Sequence, residues 1–389
     1  MINEKMLSFI AGQDMAEAAL IVRKSGKIVY QNTWGGASYD SMYRMMSLTK
    51  IVTSIAILKL MEEGKVALDD TVAKYLPAFS EMKVSCDERY AGVEHNQEKL
   101  LSCLPSFVLE EVKTVPAKRQ ITIRDLLSHS AGLEQGDAGL LTLYSMKSGD
   151  KTLDERVERY SDYVLGFQPG AGTGYSPISA FAILGKVVEV ISGMRYEEFL
   201  QKEICEPLEM KNTTFFLSEE QQTRLVPVYE RVDGKLVNVT GTKKDMTGFL
   251  MQDIIRFEDG SAGLFSTVVD FEHIADMLCH HGKYRGRQFL KAETVELMHT
   301  QAADKYMEPE PGLVWGLGVQ IRQDPKRANS FATQGTYGWS GMFGTHLFVS
   351  PKDELEAVFV TNRCDLDGSH SYISREVERM VFQMYSESE

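Results

Sequence analysis

The feature that most constrains the fold of this chain is a long apolar segment that follows Ser47. The segment IVTSIAILKLMEEG is apolar at nearly every position until the charged residues near its end. A helix that is apolar on all sides is buried in a protein core, and Gly64 is a typical C-terminal stop. The sequence therefore predicts a central buried helix over residues 47–63, around which the rest of the chain has to pack.

Ser47 and Lys50 begin this helix with S-x-x-K spacing. Residues three apart lie on one helix face, so the Lys50 amine is expected beside the Ser47 hydroxyl. A serine needs an adjacent base to act as a nucleophile, and a helix N-terminus favours developing negative charge. The pattern predicts a nucleophile and its base. An ordinary helix N-cap serine is the structural alternative, and Ser80–Lys83 and Ser148–Lys151 repeat the spacing without an apolar helix.

Composition excludes several classes of partner. The chain has 389 residues and a formal net charge of −13, whereas nucleic acids and anionic membrane surfaces require a basic surface. No apolar run is long enough to span a membrane. The five cysteines are odd in number and widely spaced, which fits free thiols in a reducing compartment. The N-terminal segment lacks the apolar core of a secretory signal, so we expect a cytoplasmic protein, with a trimmed exported form as the alternative.

The apolar periodicity predicts strands at both ends of the chain and helices between them. The predicted strands are a hairpin over residues 17–35 and single strands over 312–321, 344–351 and 355–362. The further predicted helices are 121–132, ending at Gly132, then 177–192, one within 261–282, and 371–385. Residues 80–120 are polar and are predicted to form an exposed excursion. This order indicates one split α/β (α+β) domain, 1–75 with 186–389, that holds an inserted helical domain, 76–185, with the active site between them.

Two further groups of residues are candidates for the same site. Tyr175 lies in a glycine-rich loop just before the predicted 177–192 helix, where its phenolic oxygen can relay a proton; packing of the loop against the core is the alternative. Trp339, Ser340, Gly341 and Met342 lie beside a predicted strand. Small residues there let a substrate approach the backbone, and an N–H could pair with that of Ser47 as an oxyanion hole. A simple glycine-rich hairpin is the alternative.

Other motifs are weaker. Ser128–Gly132 is similar to a nucleophile elbow, but its segment is predicted to be helical rather than to follow a strand. His280 and His281 lack the spacing of a metal site and are predicted to be surface residues. The chain contains no P-loop, and its glycine-rich segment QPGAGTG lacks the strand of a dinucleotide loop. We therefore expect no cofactor and no metal.

The three candidate groups, taken in this order, resemble the serine β-lactamase-like superfamily, which includes class C β-lactamases, D-Ala-D-Ala carboxypeptidases and family VIII carboxylesterases. The similar segments are SLTKIVTSIAILKLMEEGKVALDDTVAKYLP, ITIRDLLSHSAGL, GYSPISAFAILGKVVEVISG, AGLFSTVVDFEHIADML and GWSGMFGTHLFVSPKDELEAVFVTN. The resemblance covers most of the chain. It implies a β-lactamase/transpeptidase-like fold, in which an antiparallel sheet is flanked by helices.

The resemblance also implies roles for residues. Ser47 would be the acylated nucleophile, and Lys50 and Tyr175 would be the base and the proton relay. The backbone N–H groups of Ser47 and Met342 would form the oxyanion hole. The strand that lines the substrate would be Trp339-Ser340-Gly341.

Two departures from the family pattern concern the substrate. Pro177 replaces an asparagine found in many members, and Trp339 replaces the lysine of the penicillin-recognising members. The side-chain amide and the cation that recognise an acyl-amide with a nearby carboxylate are therefore missing, and Trp-x-Gly is the form of the esterase-like branch. We expect a serine hydrolase of small carboxylic esters. The alternatives are a β-lactamase or D-amino-acid peptidase, and a non-catalytic ligand-binding protein; the oligomeric state is not indicated.

Overall fold

The computed structural model describes residues 2–12, 15–145, 150–247, 257–303, 307–368 and 371–386. The strands are β1 (Ala18–Lys24), β2 (Lys27–Trp34), β3 (Tyr43–Arg44), β4 (Lys83–Ser85), β5 (Thr114–Pro116), β6 (Val164–Leu165), β7 (Tyr229–Val232), β8 (Lys235–Asn238), β9 (Phe265–Ser266), β10 (Lys283–Tyr284), β11 (Arg287–Gln288), β12 (Leu313–Trp315), β13 (Gln320–Arg322), β14 (Tyr337–Ser340), β15 (His346–Ser350) and β16 (Leu355–Thr361). The α-helices are α1 (Ile2–Gly12), α2 (Thr49–Glu62), α3 (Gln97–Cys103), α4 (Ile123–Leu127), α5 (Gly136–Ser145), α6 (Leu153–Tyr160), α7 (Ser179–Ser192), α8 (Tyr196–Leu200), α9 (Glu219–Thr223), α10 (Val268–Cys279), α11 (Ala292–Met298) and α12 (Tyr372–Ser386).

The main sheet joins the two ends of the chain. It has seven strands in the order β12-β13-β14-β15-β16-β1-β2, and every neighbouring pair is antiparallel. Ala19 of β1 pairs with Val360 of β16, near the far end of the chain. The predicted fold class, an antiparallel sheet built from both chain ends and flanked by helices, is confirmed.

Both faces of this sheet are covered, which explains why β1 is continuously apolar. Ala19 and Ile21 point into the core that contains α2, α7 and α10. Leu20 and Val22 point to the opposite face and contribute to the core formed with α1 and α12. Alternate residues of a strand face opposite sides, so one strand of small and branched apolar residues serves both cores.

The buried helix predicted over 47–63 is present as α2, with a single 3₁₀ turn at Met46–Leu48 before it. Most of its residues are buried on all sides, as a helix without a polar face requires. The helix predicted over 177–192 is α7, and Gly193 ends it in the left-handed conformation with φ 68°. The predicted 17–35 hairpin is β1 and β2. Within the described residues, no helix is both long and apolar enough to cross a bilayer.

Two predictions of local structure were wrong, and a third was confirmed in part. Residues 312–321 form two strands, β12 and β13, because Gly318 adopts φ 77° in the turn between them. The helix predicted to reach Gly132 ends at Leu127, since His129 adopts φ 54°, which no α-helix contains. Residues 80–120 are mostly exposed, as predicted, but they also contain β4, β5 and α3, and several of their apolar side chains pack against α5. The division into domains 1–75 with 186–389 and 76–185 stays a prediction.

Candidate active site

Ser47 lies in a strained turn rather than in a cap. The N-cap residue of α2 is Leu48, and no side chain caps that helix, so the ordinary N-cap interpretation of Ser47 was wrong. Met46, the preceding residue, adopts φ 52°, which is costly for a residue with a side chain. The turn is held by Met45, whose N–H donates to the carbonyl of Leu264 at 2.9 Å. The sequence thus fixes the Ser47 hydroxyl at the start of a buried helix.

Lys50 is completely buried, one turn beyond Ser47. Its Nζ donates to the carbonyl oxygens of Pro177 at 2.7 Å and Ser261 at 2.8 Å, and lies 3.4 Å from Ser47 Oγ. Two of the hydrogen-bonding directions of Nζ are taken by the two carbonyls, and a third faces Ser47 Oγ. The Ser261 carbonyl is itself positioned, because the Ser261 N–H donates to Asp259 Oδ1 at 2.8 Å.

Tyr175 is the second residue whose polar side chain contacts the Ser47 hydroxyl. Its O–H donates to Ser47 Oγ at 2.7 Å, and its oxygen accepts from Trp339 Nε1 at 3.3 Å. Because the indole N–H already points at the phenolic oxygen, the phenolic hydrogen is directed to Ser47. The Tyr175 ring stacks on Trp315 with centroids 6.0 Å apart and an interplanar angle of 13°. The loop residue therefore has a fixed place and does not merely pack the loop against the core.

The tip of β14 approaches the nucleophile turn at Gly341. A Cβ at this position would lie 2.5 Å from the carbonyl oxygen of Met45 and 2.9 Å from Cβ of Met46. The approach is held by Thr345, whose hydroxyl donates to the Met45 carbonyl at 2.9 Å and whose own carbonyl accepts from the Gly341 N–H at 2.7 Å. A glycine is required because the two backbones touch.

Ser340 is held from behind by a buried polar chain. Its Oγ lies 2.8 Å from Nδ1 of His346, and His346 Nε2 lies 3.4 Å from a carboxylate oxygen of Glu378. Burial alone would raise the pKa of Glu378, but Arg322, His346 and Ser330 hold that pKa at about 2. The end of β14 is therefore tied to α12 by charged and polar contacts.

Two functional residues were missed in the sequence. His129 Nδ1 accepts from the Ser176 N–H at 3.1 Å, and burial, then the charge of Lys50, lowers the pKa of His129, so the ring is a neutral acceptor. Glu134 accepts from the Ser176 hydroxyl at 2.8 Å and from the N–H groups of Ile178 and Ser179 at the start of α7. Burial raises the pKa of Glu134. Both residues fix the loop that carries Tyr175.

The signal for these two residues was present but was interpreted differently. They belong to the segment SHSAGLEQ, which resembled a helical signature and an incomplete nucleophile elbow. His129, Gly132 and Glu134 follow each other within six residues just after α4. The loop that carries Tyr175 is distant in the sequence, so the sequence did not indicate that His129 and Glu134 contact it.

The site opens into a cavity of about 850 Å³. Ser47, Tyr175, Pro177, Trp339, Ser340 and Met342 all line it, whereas Lys50 and Gly341 lie behind its wall. The wall also contains Trp315 and Phe343, and the charged residues around it are Glu94, His95, Glu230, Lys243, Lys244, Glu310 and Asp367. The structure thus brings together every residue that was predicted for the site; Pro177 contributes its carbonyl to Lys50.

The fold and the family together place this chain in a class of serine hydrolases. It belongs to the Beta-lactamase family, whose profile matches residues 3–377. Esterase EstB of Burkholderia gladioli is 25% identical over 374 residues, which cover 89% of this chain and 85% of the relative. "Putative D-alanyl-D-alanine carboxypeptidase" of Escherichia coli (strain K12) is 25% identical over 379 residues, which cover 88% of this chain and 77% of the relative.

Among solved structures, "EstCE1, a hydrolase with promiscuous acyltransferase activity" superposes with a TM-score of 0.75 at 21% identity. The match covers 98% of this chain and 96% of that chain, so the two share the fold. The resemblance deduced from the sequence is confirmed at the level of the family. The names of the relatives include both an esterase and a carboxypeptidase, so they do not select a substrate.

Proposed function

We propose that this protein hydrolyses small carboxylic esters through an acyl-enzyme formed on Ser47. The observation that carries the proposal is the position of the Ser47 hydroxyl, 2.7 Å from the Tyr175 hydroxyl and 3.4 Å from Lys50 Nζ. This hydroxyl lies in a cavity of about 850 Å³. A nucleophile, a candidate base and a proton donor converge there, which is the arrangement that acyl transfer requires.

The reaction follows from the contacts. Lys50 Nζ accepts the Ser47 proton as Oγ attacks the ester carbonyl carbon, and the carbonyl π electrons move to its oxygen. The backbone N–H groups of Ser47 and Met342 stabilise that oxyanion. On collapse, the bond to the alkoxide breaks and the leaving oxygen takes the proton of Tyr175; the proton that Lys50 took from Ser47 then restores the phenol. Water next gives a proton to Lys50 as it attacks the acyl carbonyl carbon, the bond to Ser47 Oγ breaks, Oγ takes that proton from Lys50, and the acid is released.

Esters are favoured over carboxylate-bearing amides by the wall beside Tyr175. Trp339 places a neutral indole N–H on the phenolic oxygen, and a neutral donor cannot neutralise a substrate carboxylate as an ammonium can. Trp315 and Phe343 add apolar wall, which suits an uncharged acyl or alkyl group. Similarity to Esterase EstB supports this choice. Similarity to the carboxypeptidase-named relative supports the alternative of a β-lactamase or D-amino-acid peptidase.

The test compares substrates and labels the nucleophile. Purified protein should hydrolyse short p-nitrophenyl esters with a higher kcat/KM than a chromogenic cephalosporin. A fluorophosphonate should add once to the protein by intact mass, and the adduct should be absent from Ser47→Ala. Ser80→Ala, an exposed serine with the same S-x-x-K spacing, is the matched control and should label normally.

Each alternative has its own outcome. A higher kcat/KM on the cephalosporin than on every ester would make the protein an amide hydrolase. No turnover of either class together with no fluorophosphonate adduct would leave a non-catalytic binding protein. Labelling that survives in Ser47→Ala would refute the assignment of the nucleophile.

A further inference from the structure

A second cluster of polar side chains lies between α10 and the main sheet. Glu272 and Asp276 of α10 and His280, which follows it, are spaced by four residues and therefore share one helix face. Arg23 of β1 and Glu356 of β16 are register partners in the sheet and lie opposite that face. None of these five residues lines the cavity of Ser47.

The charges of this cluster do not balance. Arg23 Nε bonds to Glu272, and Arg23 Nη1 donates to the carbonyl of Gly26 at 2.9 Å. The carboxylate oxygens of Asp276 and Glu356 lie 3.7 and 3.9 Å from the Arg23 guanidinium, beyond hydrogen-bond distance. One guanidinium is therefore shared by three carboxylates, and its closest contacts go to only one of them.

Glu356 is the most deeply buried carboxyl group of the cluster. Its side chain is 1% exposed, and its carboxyl group contacts the Cys279 thiol, a weak donor, with no stronger hydrogen-bond donor among the described residues. A buried carboxylate carries a large desolvation cost unless a cation compensates it. The closest contact of Arg23 goes to Glu272, so a second cation would stabilise Glu356.

We propose that Asp276, His280 and Glu356 bind one divalent metal ion of the zinc type. One ligand atom from each residue lies within 4.8 Å of the other two. Nδ1 of His280 is 3.1 Å from Oδ1 of Asp276, close to the separation of two ligands that each lie about 2 Å from one zinc ion. To bind the ion, Nδ1 has to give up its 2.9 Å contact with the Asp276 carbonyl oxygen. One imidazole with two carboxylates is a donor set that suits zinc.

The proposed ion has a route of entry from solvent. The His280 side chain is 38% exposed whereas Glu356 is 1% exposed, so the site is closed by the sheet on one side and reached from solvent on the other. His280 was predicted to be a surface residue without a metal role, because its carboxylate partner lies on a distant strand.

The experiment titrates Zn²⁺ into chelator-treated full-length protein and measures affinity by competition with a chromogenic chelator. Wild type should bind one equivalent, and Zn²⁺ should raise its unfolding temperature. His280→Ala and Glu356→Gln should each weaken binding at least about tenfold, since even outer partners of a metal ligand contribute that much. His281→Ala removes the adjacent exposed imidazole and is the matched control, which should bind as wild type does.

Two outcomes overturn the proposal. One is no saturable Zn²⁺ uptake by the wild-type protein. The other is unchanged affinity in Glu356→Gln, because Zn²⁺ would then be held by surface imidazoles alone. Fluorophosphonate labelling of Ser47 is expected to be the same in all of these variants, so the result is independent of the proposed esterase activity.

Discussion

Gly341→Ala is expected to disable the reaction by moving the tip of β14 away from the nucleophile turn. The new Cβ would lie 2.5 Å from the Met45 carbonyl oxygen and 2.9 Å from Met46 Cβ. Ordinary contacts to a carbon atom are about 3.5 Å, so the two backbones must separate by roughly 1 Å. The Thr345 hydroxyl, at 2.1 Å from the new Cβ, would also have to leave the Met45 carbonyl.

The expected magnitude follows from that displacement. The Met342 N–H lies one residue beyond Gly341 and moves with it, while the Ser47 N–H stays in the turn before α2. A shift of about 1 Å costs about 100-fold in rate, and losing one oxyanion donor costs about 100- to 1,000-fold in kcat. We therefore expect kcat on a short ester to fall at least about 100-fold. Overpacking should lower the free energy of unfolding by about 1–3 kcal/mol.

The assay measures kcat on p-nitrophenyl butyrate and the free energy of unfolding in urea. Gly174→Ala is the matched control, because Gly174 also lines the cavity and a Cβ there would meet Gln135 at an ordinary 3.6 Å. Its kcat should stay within about threefold of wild type, below the 1.4 kcal/mol of a tenfold effect. If folded Gly341→Ala keeps a similar kcat, the tip of β14 does not carry the oxyanion donor.

Three further predictions test other parts of the site. Lys50→Ala should slow fluorophosphonate labelling of Ser47, followed by mass against time, by about 100- to 10,000-fold; labelling at the wild-type rate would place the base elsewhere. Trp339→Lys should lower kcat/KM on short esters and raise affinity for a carboxylate-bearing cephalosporin, and an unchanged ratio would refute the substrate argument. Glu378→Gln should lower the free energy of unfolding near pH 7 by about 3 kcal/mol, because the pKa of Glu378 is held at about 2. That contribution is complete above pH 4.5 and is lost as the pH falls through 2, so urea unfolding of wild type and variant should converge towards pH 2.

The predictable parts of the fold are the segments whose sequence pattern is compatible with only one position in a folded protein. α2 is apolar around its whole circumference, so only a core position satisfies it. The same argument located α7, and Gly193 ended it. Ser47 and Lys50 were predictable together because helical spacing alone brings them to one face, and the distance of 3.4 Å between Nζ and Oγ agrees with it.

The parts that were not predictable depend on contacts between distant segments. The turn before α2 and the tip of β14 meet only because Gly341 lacks a side chain, and a glycine between a serine and a methionine also fits a simple turn. Glu134 caps α7 from another segment. The residues near Glu134 in the sequence therefore do not indicate which backbone groups its carboxylate contacts. The prediction of a single strand over 312–321 was wrong because a hairpin with apolar residues in both strands has the same composition as one long buried strand.

Trp339 shows why the substrate argument required the structure. In the sequence, its replacement of a lysine removes a cation from the substrate site. In the structure, the same side chain donates to the Tyr175 oxygen at 3.3 Å and thereby directs the phenolic hydrogen to Ser47. An ammonium in its place would attract a substrate carboxylate and would also stabilise negative charge on the phenolic oxygen. Substrate charge and the direction of proton relay are therefore set by one residue, and Trp339→Lys should change KM and kcat together.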